Sequence, residues 1–122
     1  MLSTYVFNLS KELWGKKWRS AIMWSVKDGP KRFSEIHSDM PECSVKILSQ
    51  VLKEMEKNHI LIRTQYNTIP VKVTYAINPE LLPLLQTLEE YHNQLVKYFH
   101  RNADQHKIPE NRVLELKSLL GK

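Results

Sequence analysis

The run SVKILSQVLKEMEKN, residues 44–58, carries the strongest periodic signal in the chain. Leu48, Val51, Leu52 and Met55 fall at i, i+3, i+4 and i+7, the single apolar stripe of an amphipathic helix. Ser44 stands where an N-cap hydroxyl accepts from the free amides of the first turn. Asn58 stands where a left-handed residue would end the helix. Val45, Lys46, Ser49, Gln50, Lys53 and Lys57 lie away from the apolar stripe. Lys can donate to guanine O6 and N7, Gln can pair with adenine through two bonds, and Ser reaches either. Taken alone, such a strip is more often a solvated face, so its neighbours decide.

After it the period shifts from 3.6 towards 2. Residues 60–66 are rich in β-branched and aromatic side chains, Asn67-Thr68-Ile69-Pro70 interrupts, and residues 71–77 alternate apolar and polar. Two such runs about a turn signal predict a β-hairpin. Its polar and basic groups at or near the tip are Arg63, Gln65, Asn67, Thr68 and Lys72, of the kind that touch phosphates or a neighbouring minor groove. Before the capped helix, Lys31-Arg32-Phe33 leads into a two-turn helix ended by Met40-Pro41, with Lys31 and Arg32 placed to clamp a phosphate. Short helix, capped helix and hairpin in that order make a winged helix-turn-helix.

Flanking segments complete the chain. Residues 3–28 show helical spacing interrupted at Gly15, with Trp18, Ala21, Ile22 and Val26 on one face and a stop at Asp28-Gly29-Pro30. Asn78-Pro79 restarts a helix, Asn as cap and Pro at the first position, running to about Arg101. Residues 102–107 are a polar linker, and 109–120 are expected to form a last short helix.

The whole chain has 122 residues and 42% hydrophobic content, enough for one real core. Eighteen Lys and Arg against 13 Asp and Glu give a net charge of +5, compatible with a polyanion partner. From Lys31 to Lys72 there are seven basic and five acidic residues, net +2, so binding must rest on local geometry rather than a strong field. A dimer would double the contacts. Surplus apolar residues suggest one: Tyr5, Val6, Phe7 and Leu9 near the start, and Leu84, Leu88, Tyr91, Leu95 and Phe99 on the long helix. A single cysteine excludes an internal disulfide, no apolar run reaches membrane-spanning length, and no secretory signal opens the chain. The expectation is a soluble, cytoplasmic protein without a membrane role.

That cysteine, Cys43, precedes the capped helix, where amides and dipole can favour a thiolate; it is a candidate redox sensor, with plain burial as the commoner fate. The five histidines are scattered, no cluster has metal-ligand spacing, and no cofactor is expected. Trp14, Trp18 and Trp24 read as core and interface anchors rather than a stacking platform. Glu54/Glu56 and Glu89/Glu90 point different ways on their helices, and no phosphate-cradling loop or nucleophile motif appears. The residues point away from an enzyme.

The segments Leu13-Trp14-Gly15-Lys16-Lys17-Trp18 and Asp28-Gly29-Pro30-Lys31-Arg32-Phe33-Ser34-Glu35-Ile36 resemble the "GKW … G..RF.EL" signature of HxlR-type bacterial transcription regulators, relatives of the MarR group. Residues 44–56 are similar to that family's "S.+.L...L+.LE" helix, and 62–66 with 69–75 to its "I.R..Y…PP+VEY". The resemblance spans roughly residues 9 to 100. It implies a homodimeric winged helix on a two-fold operator, with Lys46, Ser49, Gln50 and Lys53 at bases and backbone and Lys72 on the wing. Departures are Asn58-His59 in place of a Gly, Thr74 in place of the Glu, and Ile69 in place of the first Pro. The family's cysteine ahead of the tryptophan motif has no counterpart here.

Residues and resemblance together predict an α+β, mostly α fold: one winged-helix domain over 1–122, core about 9–100, extension 102–122, with flanking dimerisation helices. The expected partners are double-stranded DNA, a second copy and a small-molecule inducer. The expected DNA-contacting residues are Lys31, Arg32, Ser44, Lys46, Ser49, Gln50, Lys53, Arg63, Asn67 and Lys72. The alternatives are a winged-helix protein-interaction module or a ligand- or redox-sensing regulator.

Overall fold

The computed structural model describes residues 4–102, apart from the side chains of Tyr5 and Phe7. In order it contains α1 (Thr4–Ser10), a π-helical turn (Lys11–Gly15), α2 (Arg19–Val26), α3 (Phe33–Asp39) and α4 (Val45–Lys57). There follow β1 (Leu61–Tyr66), β2 (Lys72–Ile77), a 3-10 turn (Pro79–Leu81) and α5 (Leu82–Arg101). This is the expected mostly helical α+β winged helix-turn-helix. The helix expected over 109–120, and the contributions of Tyr5 and Phe7, lie outside the described residues.

The chain divides into two compact units, Met1–Leu82 and Pro83–Lys122. In the first, α2, α3 and α4 converge on one core with the hairpin base. Ile22, Met23, Val26, Ile36, Leu48, Leu52, Met55, Ile60, Leu61 and Ile77 are all buried. The α4 stripe is as spaced in the sequence, with Val51 half-buried at its margin. On α2 the face differs from expectation: Ala21 is exposed, whereas Arg19 is 2% exposed. Its guanidinium donates through Nη1 to the Glu12 carbonyl at 2.7 Å and through Nη2 to Glu54 Oε1 on α4. A buried charge needs that pairing.

The interruption does follow Gly15, yet the left-handed residue there is Trp18 at φ 72°. At the end of α4 the expected stop shifts by one. Asn58 is not left-handed (φ −86°); His59 is, at φ 61°. The His59 amide donates to the Glu56 carbonyl at 3.0 Å and the Ile60 amide to that of Met55 at 2.9 Å, the paired closure of a Schellman motif. Ile60 and Met55 are both buried, and keeping Ile60 in the core sets which residue must turn.

The hairpin is antiparallel, from Leu61 opposite Ile77 to Tyr66 opposite Lys72. Lys31 adds a bridge on the far side of β2, its amide donating to the Tyr75 carbonyl at 2.9 Å and its carbonyl accepting from Tyr75 at 2.8 Å. β2 is therefore central and β1 the edge. That is why β2's alternation is not simple in-and-out: Thr74 and Ile77 are buried and the rest half-buried, while β1 is exposed beyond Leu61.

Asn78 caps the next turn, accepting from the Glu80 amide at 3.1 Å and donating to the His59 carbonyl at 2.8 Å. In the second unit α5 buries Leu85, while Leu84, Tyr91 and Tyr98 are exposed. Among the described residues no helix is long and apolar enough to cross a membrane.

Candidate nucleic-acid interface

Ser44 fixes where α4 begins. Its Oγ accepts from the Ile47 amide at 3.1 Å, and a hydroxyl that accepts keeps its own proton to donate outward. From that start, Lys46, Gln50, Lys53 and Lys57 follow at i, i+4, i+7 and i+11, so they share one outward line on the helix. All four are exposed, as is Ser49 beside them. Val45 and Ile47 are also exposed, at 57% and 41%.

Between α4 and the hairpin lies an open groove of about 700 Å³. Ser49, Gln50, Lys53, Glu56 and Lys57 line it from the helix, and His59, Arg63 and Tyr75 from the turn and hairpin. The arrangement brings together four of the expected residues: Ser49, Gln50, Lys53 and Arg63. Lys57, Glu56, His59 and Tyr75 join them without having been singled out. The helical register that aligns Lys46 with Gln50 and Lys53 extends to Lys57, and that signal was available in the sequence. The cross-strand pairing of Arg63 with Tyr75 was not, because it depends on hairpin register.

The other expected residues lie elsewhere. Lys46 is at the N-terminal end of the outward line and Asn67 is exposed at the wing tip. Lys72 is half-buried, with Nζ 5.0 Å from the centre of the Tyr66 ring. Arg32 is exposed at the start of α3, where its amide donates to Glu35 Oε1 at 2.9 Å. Lys31 is not an unpaired cation: its Nζ meets Asp39 Oδ2 at 2.8 Å, and Ser25 Oγ donates to the same oxygen at 2.6 Å. The Lys31 hydrogen bond, then that of Ser25, holds the Asp39 carboxyl below its ordinary range. Lys31 thus ties the sheet to α3.

Glu54 belongs to a comparable tie. Its carboxylate receives Arg19 and lies 3.6 Å from Lys16 Nζ. The Arg19 hydrogen bond and charge pull its pKa down. This carboxylate anchors α2 to α4, so it does not oppose the cations of the groove.

Cys43 is 1% exposed, and its Sγ lies 3.7 Å from the Ser44 carbonyl. Burial first, then the nearby Glu42 charge, pushes the thiol pKa up. The low-pKa thiolate that a sensing role would use is therefore the reverse of what its surroundings favour. Among the described residues no three His, Cys, Asp or Glu side chains gather as a metal site. What the candidate interface can do is present donors to base edges and cations to phosphates.

The chain is similar to known proteins in sequence and in fold. Residues 13–103 match the sequence pattern of the HxlR-like helix-turn-helix family. The HTH-type transcriptional regulator YodB of Bacillus subtilis (strain 168) is 40% identical over 78 residues, 64% of this chain and 70% of YodB. YkvN of the same strain, an HTH-type transcriptional regulator, is 36% identical over 85 residues, 67% of this chain and 72% of YkvN. The crystal structure of diamide-treated YodB superposes with a TM-score of 0.63 at 33% identity, over 81% of this chain and 96% of that one. A MarR-family regulator from Enterococcus faecalis V583 matches with a TM-score of 0.75 over 85% and 94% of the two chains; at 24% identity it shares the fold alone. With the family pattern matched over most of its length, the chain belongs to the HxlR-like helix-turn-helix family, which comprises transcriptional regulators and not enzymes.

Proposed function

We propose that this protein binds a two-fold DNA operator as a homodimer, with α4 in the major groove and the hairpin on the flanking groove or phosphates. The observation that carries this reading is the exposed line Lys46, Gln50, Lys53 and Lys57, the last three of which share an open groove with Arg63. Gln50 and Ser49 read base edges, while Lys46, Lys53, Arg63 and Lys72 hold phosphates. Lys31 serves the fold first, through Asp39, and Arg32 and Asn67 are peripheral contacts.

Dimerisation is supported by α5. Leu84, Leu88, Tyr91, Leu95 and Tyr98 recur at alternating steps of four and three, the repeat of a helix–helix seam. Leu84 is 47% and Tyr91 58% exposed in the single chain. The full 122 residues act as one regulator, with 102–122 an extension of the winged helix. A modest net charge favours the dimer further, because two copies double the phosphates neutralised.

Selection of bound sites from randomised DNA, followed by affinity measurements across salt concentrations, tests the reading. The expected result is a palindrome whose half-sites lie about 34–36 Å apart. Lys46→Ala should reduce the slope of log affinity against log salt by about one. No enriched site, with binding indifferent to salt, would contradict it.

A further inference from the structure

The tip of the hairpin is uncharged and exposes apolar side chains. Between Tyr66 and Lys72 lie Asn67, Thr68, Ile69, Pro70 and Val71, none of them charged. Ile69 is 103% exposed, the most exposed large hydrophobic side chain among the described residues, and Val71 is 60% exposed. The tip is braced rather than loose. Thr68 Oγ1 donates to the Pro70 carbonyl at 2.9 Å, and the Lys72 ammonium caps the Tyr66 ring at its base. An isoleucine so exposed gives its own fold no burial energy.

The charges around it select the partner. From Leu61 to Ile77 the ribbon carries Arg63 and Lys72 and no acidic residue. Arg63 also lines the groove shared with Lys53 and Lys57, where Glu56 is the one carboxylate against three cations, so the exposed Ile69 extends a net cationic surface. An uncharged wedge flanked by cations suits the minor groove, where Ile and Pro side chains part base steps while basic neighbours hold the phosphates. An acidic protein would satisfy the cations alone and leave the tip in water.

We propose that Ile69, with Pro70 beside it, is an apolar wedge that enters the minor groove flanking the α4 site and opens one base step. The proposal rests on the DNA-binding reading above. It assigns the wing a specificity that hydrogen bonds do not supply: pyrimidine–purine steps unstack most readily, so the wedge favours operators carrying one at that distance from the half-site.

The test uses the full chain and the site that the unaltered protein selects from randomised DNA. Bending is read by energy transfer between dyes on the fragment ends, for the unaltered protein, Ile69→Ser and Ile69→Leu. The unaltered protein and Ile69→Leu should bend the fragment. Ile69→Ser should lose the bend and bind the selected site roughly tenfold more weakly, with random-DNA affinity and salt slope unchanged. A side chain this exposed can be replaced without unfolding, which circular dichroism checks. Ile69→Ser that bends and binds like the unaltered protein overturns the wedge. So does a change in salt slope or in oligomeric state with the bend intact, since the tip would then hold a phosphate or a protein. Failure of the unaltered protein to enrich any site appears before a variant is made, and it overturns the DNA-binding reading and the wedge with it.

Discussion

His59 holds φ 61° at a position that favours glycine, because closing α4 onto buried Ile60 requires a left-handed residue there. A side chain in that conformation costs about 1–2 kcal/mol, more than the roughly 0.4–1 kcal/mol of unfolded-chain entropy that a glycine adds. His59→Gly should therefore raise unfolding free energy by about 0.5–1 kcal/mol in urea titrations. A loss of stability would mean that the imidazole contributes more than its backbone costs. In the sequence, Asn58 was the expected turn residue, with His59 next to it. Only the tertiary position of Ile60 separates them. The Ser44 cap was readable because a cap is a local bond, whereas buried Arg19 was not, its carboxylate partner being 35 residues away.

At the scale of elements, α4 is one helix with two separable faces. Ser44→Ala should cost about 1 kcal/mol through the lost cap, and Leu52→Ala about 2–5 kcal/mol through the cavity it opens in the core. Lys53→Ala should leave stability within about 0.5 kcal/mol while weakening DNA binding. Thermal melts and binding isotherms of the three variants check that split; a Lys53→Ala protein that melts early but binds normally would refute it.

Two carboxylates tie elements together: Glu54 joins α4 to α2 through Arg19, and Asp39 joins α3 to Lys31 beside β2. Both pKa values are lowered in the fold. Their stabilisation is therefore complete above the ordinary carboxyl range near pH 4 and is lost as pH falls through the lower folded values. Urea midpoints measured from pH 7 down to 3 should fall, and Glu54→Gln with Asp39→Asn should flatten that fall. A double variant as acid-sensitive as the unaltered protein would show that other groups govern it. The Lys31 bridge itself was invisible beforehand, since one residue of strand has no period.

Taken whole, helix order, hairpin and the exposed face of α4 were legible because each follows from spacing within a single segment. The groove was less so, since Glu56, His59 and Tyr75 enter it through the packing of hairpin on helix. The α5 seam predicts a sedimentation mass of twice the 14.4 kDa chain. Tyr91→Glu should shift it towards one chain and weaken operator binding more than binding to random DNA. A monomeric unaltered protein with full operator affinity would contradict the seam. The central claim is that the outward face of α4 reads bases, and Gln50→Ala tests it most directly, compared on the selected site and on random DNA at one salt concentration. The account predicts a loss of about 1–3 kcal/mol on the selected site and almost none on random sequence; equal losses on both, or none on either, would contradict it.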